Sequence, residues 1–299
     1  MSETPPSGAR RGPTPELRVL EDRLAEALEP AALRTPSGSF DWDTSTRVGD
    51  FDVETAARCQ ANAAGLPSPF EPGIFTTFKA VARAAAPLVS SEGGVRPALV
   101  EFVRRARSRH STVDNWLCDH LAACDQPTLV ETMHRAASWL HGTAAVLGDP
   151  TLGRWSTGRR FQWDFPGRQL RLQGSVDLIE QGSHVPLFVV PSIDDARLDR
   201  IAFSSMLYAL KMRSAPATVR IVVLGTGVDE TRPRDELWGR AVQAAAWAAD
   251  AVTARPVGPD GLHRTASFFT CRGCDWAPEC AVRAESQARP PVRQGVRLR

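Results

Sequence analysis

The spacing of apolar residues changes from a helical period to a period of two near residue 159, and this change fixes the class of fold. Beyond it, Phe161, Trp163 and Phe165 alternate with polar residues, as in a strand with one buried face. A Pro-Gly turn at 166–167 follows, and the alternation resumes over 170–178. Two antiparallel strands are therefore predicted here.

The rest of this half of the chain continues the pattern of an α/β protein. The unbroken apolar run from Val185 to Val190 predicts a central strand buried on both faces. A helix over 196–213, a strand over 218–224 and a long helix over 233–253 follow it. The order β-β-β-α-β-α predicts a mixed central sheet flanked by helices.

The first half is predicted to be helical after a disordered tail. Residues 1–13 are rich in Pro, Gly, Ser and Arg. Thr14 suits an N-cap and Pro15 a first helical position, with a loop expected over 30–39. The apolar positions of this first helix are Leu17, Leu20, Leu24 and Leu28.

From about Val53 to Gly148, three further apolar stripes predict several short helices, the last ended by Gly148. The stripes are Phe75, Phe78, Val81 and Ala82; Leu99, Phe102 and Val103; and Leu129, Val130, Met133, Ala137, Leu140 and Ala144. We therefore expect a helical region over 14–150, an α/β core over 151–285 and a basic tail over 286–299.

Charge and hydropathy restrict the partners. The 36 Lys and Arg residues nearly cancel the 34 Asp and Glu residues, so any nucleic-acid surface must be local. Lysine occurs only at Lys79 and Lys211. No apolar run approaches the roughly 20 residues that cross a bilayer, and the N-terminus lacks the apolar core of a secretory signal. These features predict a cytoplasmic protein with no membrane partner.

The strongest chemical signal is the C-x2-C-x5-C run of Cys271, Cys274 and Cys280. Two cysteines separated by two residues can direct both sulfurs to one metal centre, and zinc or a [4Fe-4S] cluster needs four ligands. The candidates for the fourth ligand are Cys59, Cys118, Cys124 and His263. The competing interpretation is three buried thiols. A second group, Cys118, His120 and Cys124, lies in a helical stretch that points its side chains to different faces.

The strand Gly174-x-x-Asp177 places an acid among apolar residues. Such an acid is unusual unless it is paired or binds a metal, although an edge aspartate in contact with water would also fit. The order of elements here resembles the RecB-type nucleases of the PD-(D/E)XK superfamily. The closest likeness is to their iron-sulfur branch, found in AddB-like helicase-nuclease subunits and CRISPR-associated exonucleases. The resemblance covers about residues 53–285.

The resemblance implies a PD-(D/E)XK nuclease-like fold closed by a [4Fe-4S] cluster. A lone upstream cysteine supplies one cluster ligand in that branch, and Cys59 stands where the family has it. The implied ligands are therefore Cys59, Cys271, Cys274 and Cys280. In this branch, carboxylates hold Mg²⁺ or Mn²⁺ and a lysine polarises the phosphate during phosphodiester hydrolysis.

When the catalytic residues of the family are compared with this sequence position by position, most of them are missing. Asp177 matches the first acid and Tyr208 the tyrosine of the following helix, so both are remnants of the catalytic set. The (D/E)-x-K positions hold Pro191-Ser192-Ile193. The Gln of the helix motif is Ser204, and the helix after Gly73 lacks the family's His. Residues to which the missing roles could have migrated are Asp194, Asp195, Lys79 and Lys211.

The leading expectation is thus a catalytically inactive relative that binds DNA or serves as a partner in a repair, recombination or defence complex. One alternative is an active Mg²⁺- or Mn²⁺-dependent exonuclease with migrated residues. Another is a zinc-stabilised interaction protein. Two groups of arginines are candidates for phosphate contacts, or else for solvated surface: Arg104, Arg105, Arg107 and Arg109, and in the tail Arg289, Arg293, Arg297 and Arg299.

Overall fold

The structure is a computed structural model. It describes residues 14–39, 41, 45–65, 74–89, 91–108, 115–147, 155–157, 160–180, 182–255, 262, 264, 274, 280 and 282. Several sequence predictions concern residues outside these ranges: the N-terminal tail 1–13, Gly73, Arg109, Gly148, His263, Cys271 and the arginines of the C-terminal tail.

The first half of the described chain is mainly helical, and the second half contains both strands and helices. The first half contains α1 (Pro15–Ala32), β1 (Thr46–Gly49), α2 (Asp50–Arg58), α3 (Gln60–Ala64), α4 (Ile74–Ala85), a 3₁₀ turn (Ala86–Leu88), α5 (Val95–Arg107), α6 (Asn115–Ala123) and α7 (Gln126–Leu147). The second half contains β2 (Trp155–Thr157), β3 (Arg160–Asp164), β4 (Leu170–Ser175), β5 (Leu178–Glu180), β6 (Pro186–Val190), α8 (Asp195–Met212), β7 (Thr218–Val223), β8 (Asp229–Pro233) and α9 (Arg234–Ala254).

Helix α1 begins as the sequence predicts, with Thr14 at the N-cap and Pro15 at the first position. All four of its predicted apolar leucines are buried. The predicted loop from residue 30 was wrong at its start, because the helix continues through Pro30 to Ala32. Pro30 has no backbone N–H and therefore removes one hydrogen bond from the helix. The burial of Ala31 and Ala32 in the core stabilises the last turn nevertheless.

The described parts of 53–148 are mainly helical, and most of the apolar positions described there face a core. Phe78, Val81 and Leu140 are buried. Val130 is an exception at 56% exposed, so its assignment to the buried stripe of α7 was wrong. Val130 follows the buried Leu129, and successive residues of a helix are about 100° apart around its axis. Its side chain therefore lies off the buried face of α7.

The strands form two mixed sheets. The larger has the order β2-β5-β6-β7-β8, in which β6 pairs parallel with β7 and the other pairs are antiparallel. Strand β6 is in the middle of this sheet and all five of its residues are buried, as the continuous apolar run predicts. The smaller sheet has the order β1-β4-β3, with β1 parallel to β4. The protein is therefore a mixed α/β structure.

One strand prediction was wrong in a way that matters for the site. The alternating run over 170–178 is not a single strand, because β4 ends at Ser175 in the small sheet and β5 begins at Leu178 in the large one. Val176 and Asp177 make the passage between the two sheets. Strands β1, β2 and β8 were not predicted.

The large sheet lies between two helical layers. On one face, Phe188, Val190 and Ile221 pack with α1, α2, α8 and α9. On the other face, Leu187 and Val189 pack with α4 to α7. Side chains alternate between the faces of a strand, which is why neighbours in β6 join different cores. None of the described helices is long and apolar enough to cross a membrane.

Candidate functional site

Asp177 lies at the passage between the sheets, where both of its carboxylate oxygens contact a donor. The backbone N–H of Val189 in β6 donates to Oδ2 over 2.8 Å. Nη2 of Arg83, on α4, lies 3.4 Å from Oδ1. The side chain of Asp177 is 15% exposed, so this ion pair is shielded from most of the solvent. The predicted acid is therefore a paired carboxylate.

A small pocket adjoins Asp177 at the end of β6. Three arginines line it, Arg83 from α4 and Arg197 and Arg200 from the start of α8. Ser175 and apolar residues of β6 and α8 complete the lining. Among the described lining residues Asp177 is the only carboxylate, and none is a lysine. The pocket is thus rich in guanidinium groups.

Carboxylates of α2 hold Arg200 in this position. Its Nη2 atom lies 3.2 Å from Oδ2 of Asp50, and its Nη1 atom lies 3.2 Å from Oε2 of Glu54. Oγ of Ser175 donates to the same Asp50 oxygen over 2.9 Å. Phe51 stacks on the guanidinium at 4.0 Å from its ring centroid. Helix α2, α8 and β4 are therefore joined by one polar network at the pocket.

Asp194, a candidate for migrated catalysis, is the N-cap of α8. Its Oδ1 accepts from the backbone N–H of Arg197 over 2.9 Å, and its Oδ2 lies 3.2 Å from Nη2 of Arg58. Burial alone would raise the pKa of Asp194, but the Arg197 amide and the charges of Arg197 and Arg58 outweigh it and hold the pKa below its ordinary value. Asp194 thus acts in capping and ion pairing.

The other candidates for migration lie elsewhere in the structure. Oδ1 of Asp195 is 3.2 Å from Nη2 of Arg240. Nζ of Lys79 lies 5.0 Å from the ring centroid of Trp139, a cation–π contact. Lys211 is exposed in the last turn of α8. The structure does not bring these residues together around Asp177.

Tyr208 connects α8 to the turn between β5 and β6. Its hydroxyl donates to the carbonyl oxygen of His184 over 2.9 Å, and its ring meets the edge of Phe161 with 5.1 Å between centroids. The side chain is fully buried, and this burial raises the pKa of the Tyr208 hydroxyl. Tyr208 therefore has a structural contact apart from the pocket.

Cys59, the predicted fourth cluster ligand, is buried at the junction of α2 and α3. The side-chain amide of the next residue, Gln60, donates to the carbonyl oxygen of Trp247 in α9 over 3.3 Å. Arg255, directly after α9, donates to the carbonyl oxygen of Ala63 over 3.0 Å. Helix α3, which follows Cys59, thus contacts α9, from which the chain continues to the cysteine-rich segment.

The remaining cysteines divide between that segment and a different core. Cys274 and Cys280 are half-buried, and Cys271 lies outside the described residues. Cys118 is buried in the core formed by α4 to α7, and Cys124 packs against it. Within the described part of the chain, no group of three or more His, Cys, Asp or Glu side chains is placed to share a metal ion.

Two arginines of the predicted basic run on α5 share one carboxylate of their own helix. Nε of Arg104 and Nε of Arg105 each lie 2.6 Å from an oxygen of Glu101. The hydrogen bond from Arg104, followed by that from Arg105, lowers the pKa of Glu101 to about 2. Nε of Arg107 donates to the backbone carbonyl of Leu121. These arginines form a paired surface.

The arginines of the pocket were not predicted as site residues. Arg83 and Arg197 are separated by more than a hundred positions and meet only through the packing of α4 and α8 on either side of β6. No local pattern marks them. No protein-family model matches the sequence, and no curated protein matches it either.

Proposed function

We propose that the chain is an iron-sulfur protein with a PD-(D/E)XK nuclease-like fold that does not hydrolyse DNA. It acts by binding DNA, alone or as a partner in a repair, recombination or defence complex. The observation that carries this proposal is the pairing of Asp177 with Arg83 and with the Val189 amide. The positive charge of Arg83 beside this carboxylate disfavours a divalent cation at the same group.

The order of elements supports the fold. Helix α8 leaves the end of β6 and leads into β7, which pairs parallel with β6. Asp177 directly precedes β5, the strand next to β6, and contacts β6 through the Val189 amide, as the first acid of this nuclease type is expected to do. The resemblance in sequence and the position of Asp177 thus agree.

The chemistry at the end of β6 supports the loss of activity. Metal-assisted hydrolysis requires carboxylates that converge on one or two divalent ions. Pro191 and Ile193 stand at the positions of the second acid and the lysine, and Oγ of Ser192 between them accepts a hydrogen bond from Nη1 of Arg197. The positive charges that face Asp177 therefore come from arginine side chains.

The cysteine set supports a structural cluster. Cys59, Cys271, Cys274 and Cys280 supply four thiolates, the donor set of a [4Fe-4S] cluster. Cys59 directly precedes α3, which contacts α9, the helix that leads to the other three cysteines, whereas Cys118 is packed in the other core. When bound, the cluster would cross-link α2 and α3 to the C-terminal segment. Zinc bound by the same thiolates is the alternative.

Nuclease assays with Mn²⁺ and Mg²⁺ on single- and double-stranded DNA test the proposal. We expect the purified protein to retard DNA in a gel without cleaving it. Neither Asp177→Ala nor the control Asp229→Ala, which removes a carboxylate paired with Arg220 at the far edge of the sheet, should cleave DNA. Mn²⁺-dependent cleavage that Asp177→Ala abolishes and Asp229→Ala retains would overturn the proposal.

A further inference from the structure

The guanidinium groups of Arg83, Arg197 and Arg200 reach one pocket from two helices on opposite sides of the large sheet. Among the described lining residues, these three positive charges meet one negative charge, that of Asp177. Their side chains are only 28%, 24% and 13% exposed, so solvent and salt screen them less than they screen surface arginines. The arrangement therefore presents guanidinium groups to a ligand in the pocket.

The arginines of α8 are held in place before any ligand arrives. Arg200 lies between Asp50 and Glu54, and Arg197 contacts Asp194 and Glu54. Side chains that are already ordered lose little conformational entropy when they bind. Asp50, Glu54 and Asp194 balance the charges of the three arginines that they contact, Arg58, Arg197 and Arg200. The pocket therefore favours an anion that accepts several hydrogen bonds. An anion attracted only by charge would bind less well.

Donors remain for such an anion. A guanidinium group carries five N–H donors. Among the described residues, Nη2 of Arg197 and Nε of Arg200 have no hydrogen-bond acceptor. The backbone N–H of Arg197 is already used by Asp194, so the side chains rather than the end of the helix would bind the ligand. Planar guanidinium forks match the oxygens of a phosphate group.

We propose that this pocket binds a phosphate group without a divalent metal, through Arg83, Arg197 and Arg200. The inference rests on the proposed function, because it assigns DNA contact to the position that a hydrolytic metal would have occupied. The same chemistry would also accept a free phosphate. The phosphate of a DNA end and a soluble polyphosphate are therefore separate arms of the test.

Both arms are measured in EDTA. Calorimetry with inorganic pyrophosphate tests the soluble ligand, and fluorescence anisotropy compares a 5′-phosphorylated with a 5′-hydroxyl oligonucleotide of the same sequence. We expect binding in at least one arm, which identifies the source. Arg197→Gln should weaken it roughly tenfold or more, as the loss of a charge-assisted hydrogen bond implies. Arg220→Gln, which breaks a comparable ion pair with Asp229 away from the pocket, should leave it unchanged.

If Arg197→Gln fails to fold, Arg83→Gln tests the same pocket from α4. No binding by the wild type in either arm at millimolar ligand would overturn the inference. Equal affinity in the wild type and in a folded pocket variant would do the same. If the protein neither binds phosphate nor cleaves DNA, this inference is wrong and the proposed function is not contradicted. Phosphate binding together with Asp177-dependent cleavage would instead overturn the proposed function.

Discussion

Gly174 of β4 packs directly against Ser204 of α8: a Cβ atom at residue 174 would lie 2.9 Å from Oγ and 3.0 Å from Cα of Ser204. The second contact is to backbone, which cannot rotate away as a side chain can. The glycine three residues before Asp177 is therefore required by the close approach of the small sheet to α8. This approach also sets the position at which the chain passes to the large sheet.

Gly174→Ala should lower the free energy of unfolding by about 1–3 kcal/mol, the usual cost of forcing extra atoms into a packed core. Urea denaturation measures the change. Gly239→Ala is the matched control, because a Cβ atom there meets nothing within 4 Å and residue 239 is inside helix α9. The control should gain about 0.5–1 kcal/mol from helix propensity. A Gly174→Ala protein as stable as the wild type would contradict the packing account.

Tyr208→Phe should cost about 1 kcal/mol of stability, because the carbonyl oxygen of His184 loses its hydrogen bond from the hydroxyl. We expect DNA binding to be unchanged, since Tyr208 contacts the turn before β6 rather than the pocket. Thermal unfolding and gel retardation measure the two quantities. Loss of DNA binding in a fully folded Tyr208→Phe protein would place the hydroxyl in the binding site and contradict its structural role.

Asp194→Asn should make stability less dependent on pH. The folded state holds the pKa of Asp194 below its ordinary value of 3.8, so its charge stabilises the fold above that pH. This contribution disappears as the pH falls through the lower folded-state value. Asparagine keeps the capping group. The variant should thus be less stable than the wild type at pH 7, and the difference should narrow below pH 4 in urea titrations. A constant difference across this range would disagree.

Cys59→Ser should remove bound iron and sulfide after anaerobic purification, whereas Cys118→Ser should retain both. The reason is that Cys59 directly precedes α3, which contacts α9, and Cys118 belongs to the separate core of α4 to α7. Metal and sulfide analysis, together with the absorption spectrum, measures the outcome. Wild-type protein that carries zinc and no sulfide would contradict the iron-sulfur assignment. Retention of the cluster in Cys59→Ser would contradict this choice of ligand.

Helices and strands whose formation depends on neighbouring residues could be predicted from the sequence. The buried run of β6, the amphipathic spacing of α1 and the Thr14-Pro15 start all depend on neighbouring residues, and all are confirmed. The division of the run over 170–178 depends on partners that are remote in sequence: β4 pairs with β1 and β3, and β5 with β2 and β6. Alternation alone is the same for one strand or two, so the break at Asp177 was not predicted.

Local sequence patterns also could not predict a polar edge strand or a site whose residues come from distant parts of the chain. Strand β8, with the sequence DETRP, is at the edge of the large sheet and alternates between exposed and half-buried polar residues, so it lacks an apolar pattern. Asp177 was recognised because an acid in an apolar strand is conspicuous. Its partner Arg83 was not, because an arginine on an amphipathic helix has no distinguishing local feature.

A titration with Mn²⁺, followed by electron paramagnetic resonance, tests most directly whether Asp177 is paired with Arg83 instead of holding a hydrolytic metal. The wild type and Asp177→Asn should show the same Mn²⁺ binding, because both Asp177 oxygens already contact donors. Asp229→Asn serves as the control for removing a paired carboxylate elsewhere. A class of Mn²⁺ sites present in the wild type and in Asp229→Asn, but lost in Asp177→Asn, would contradict the account.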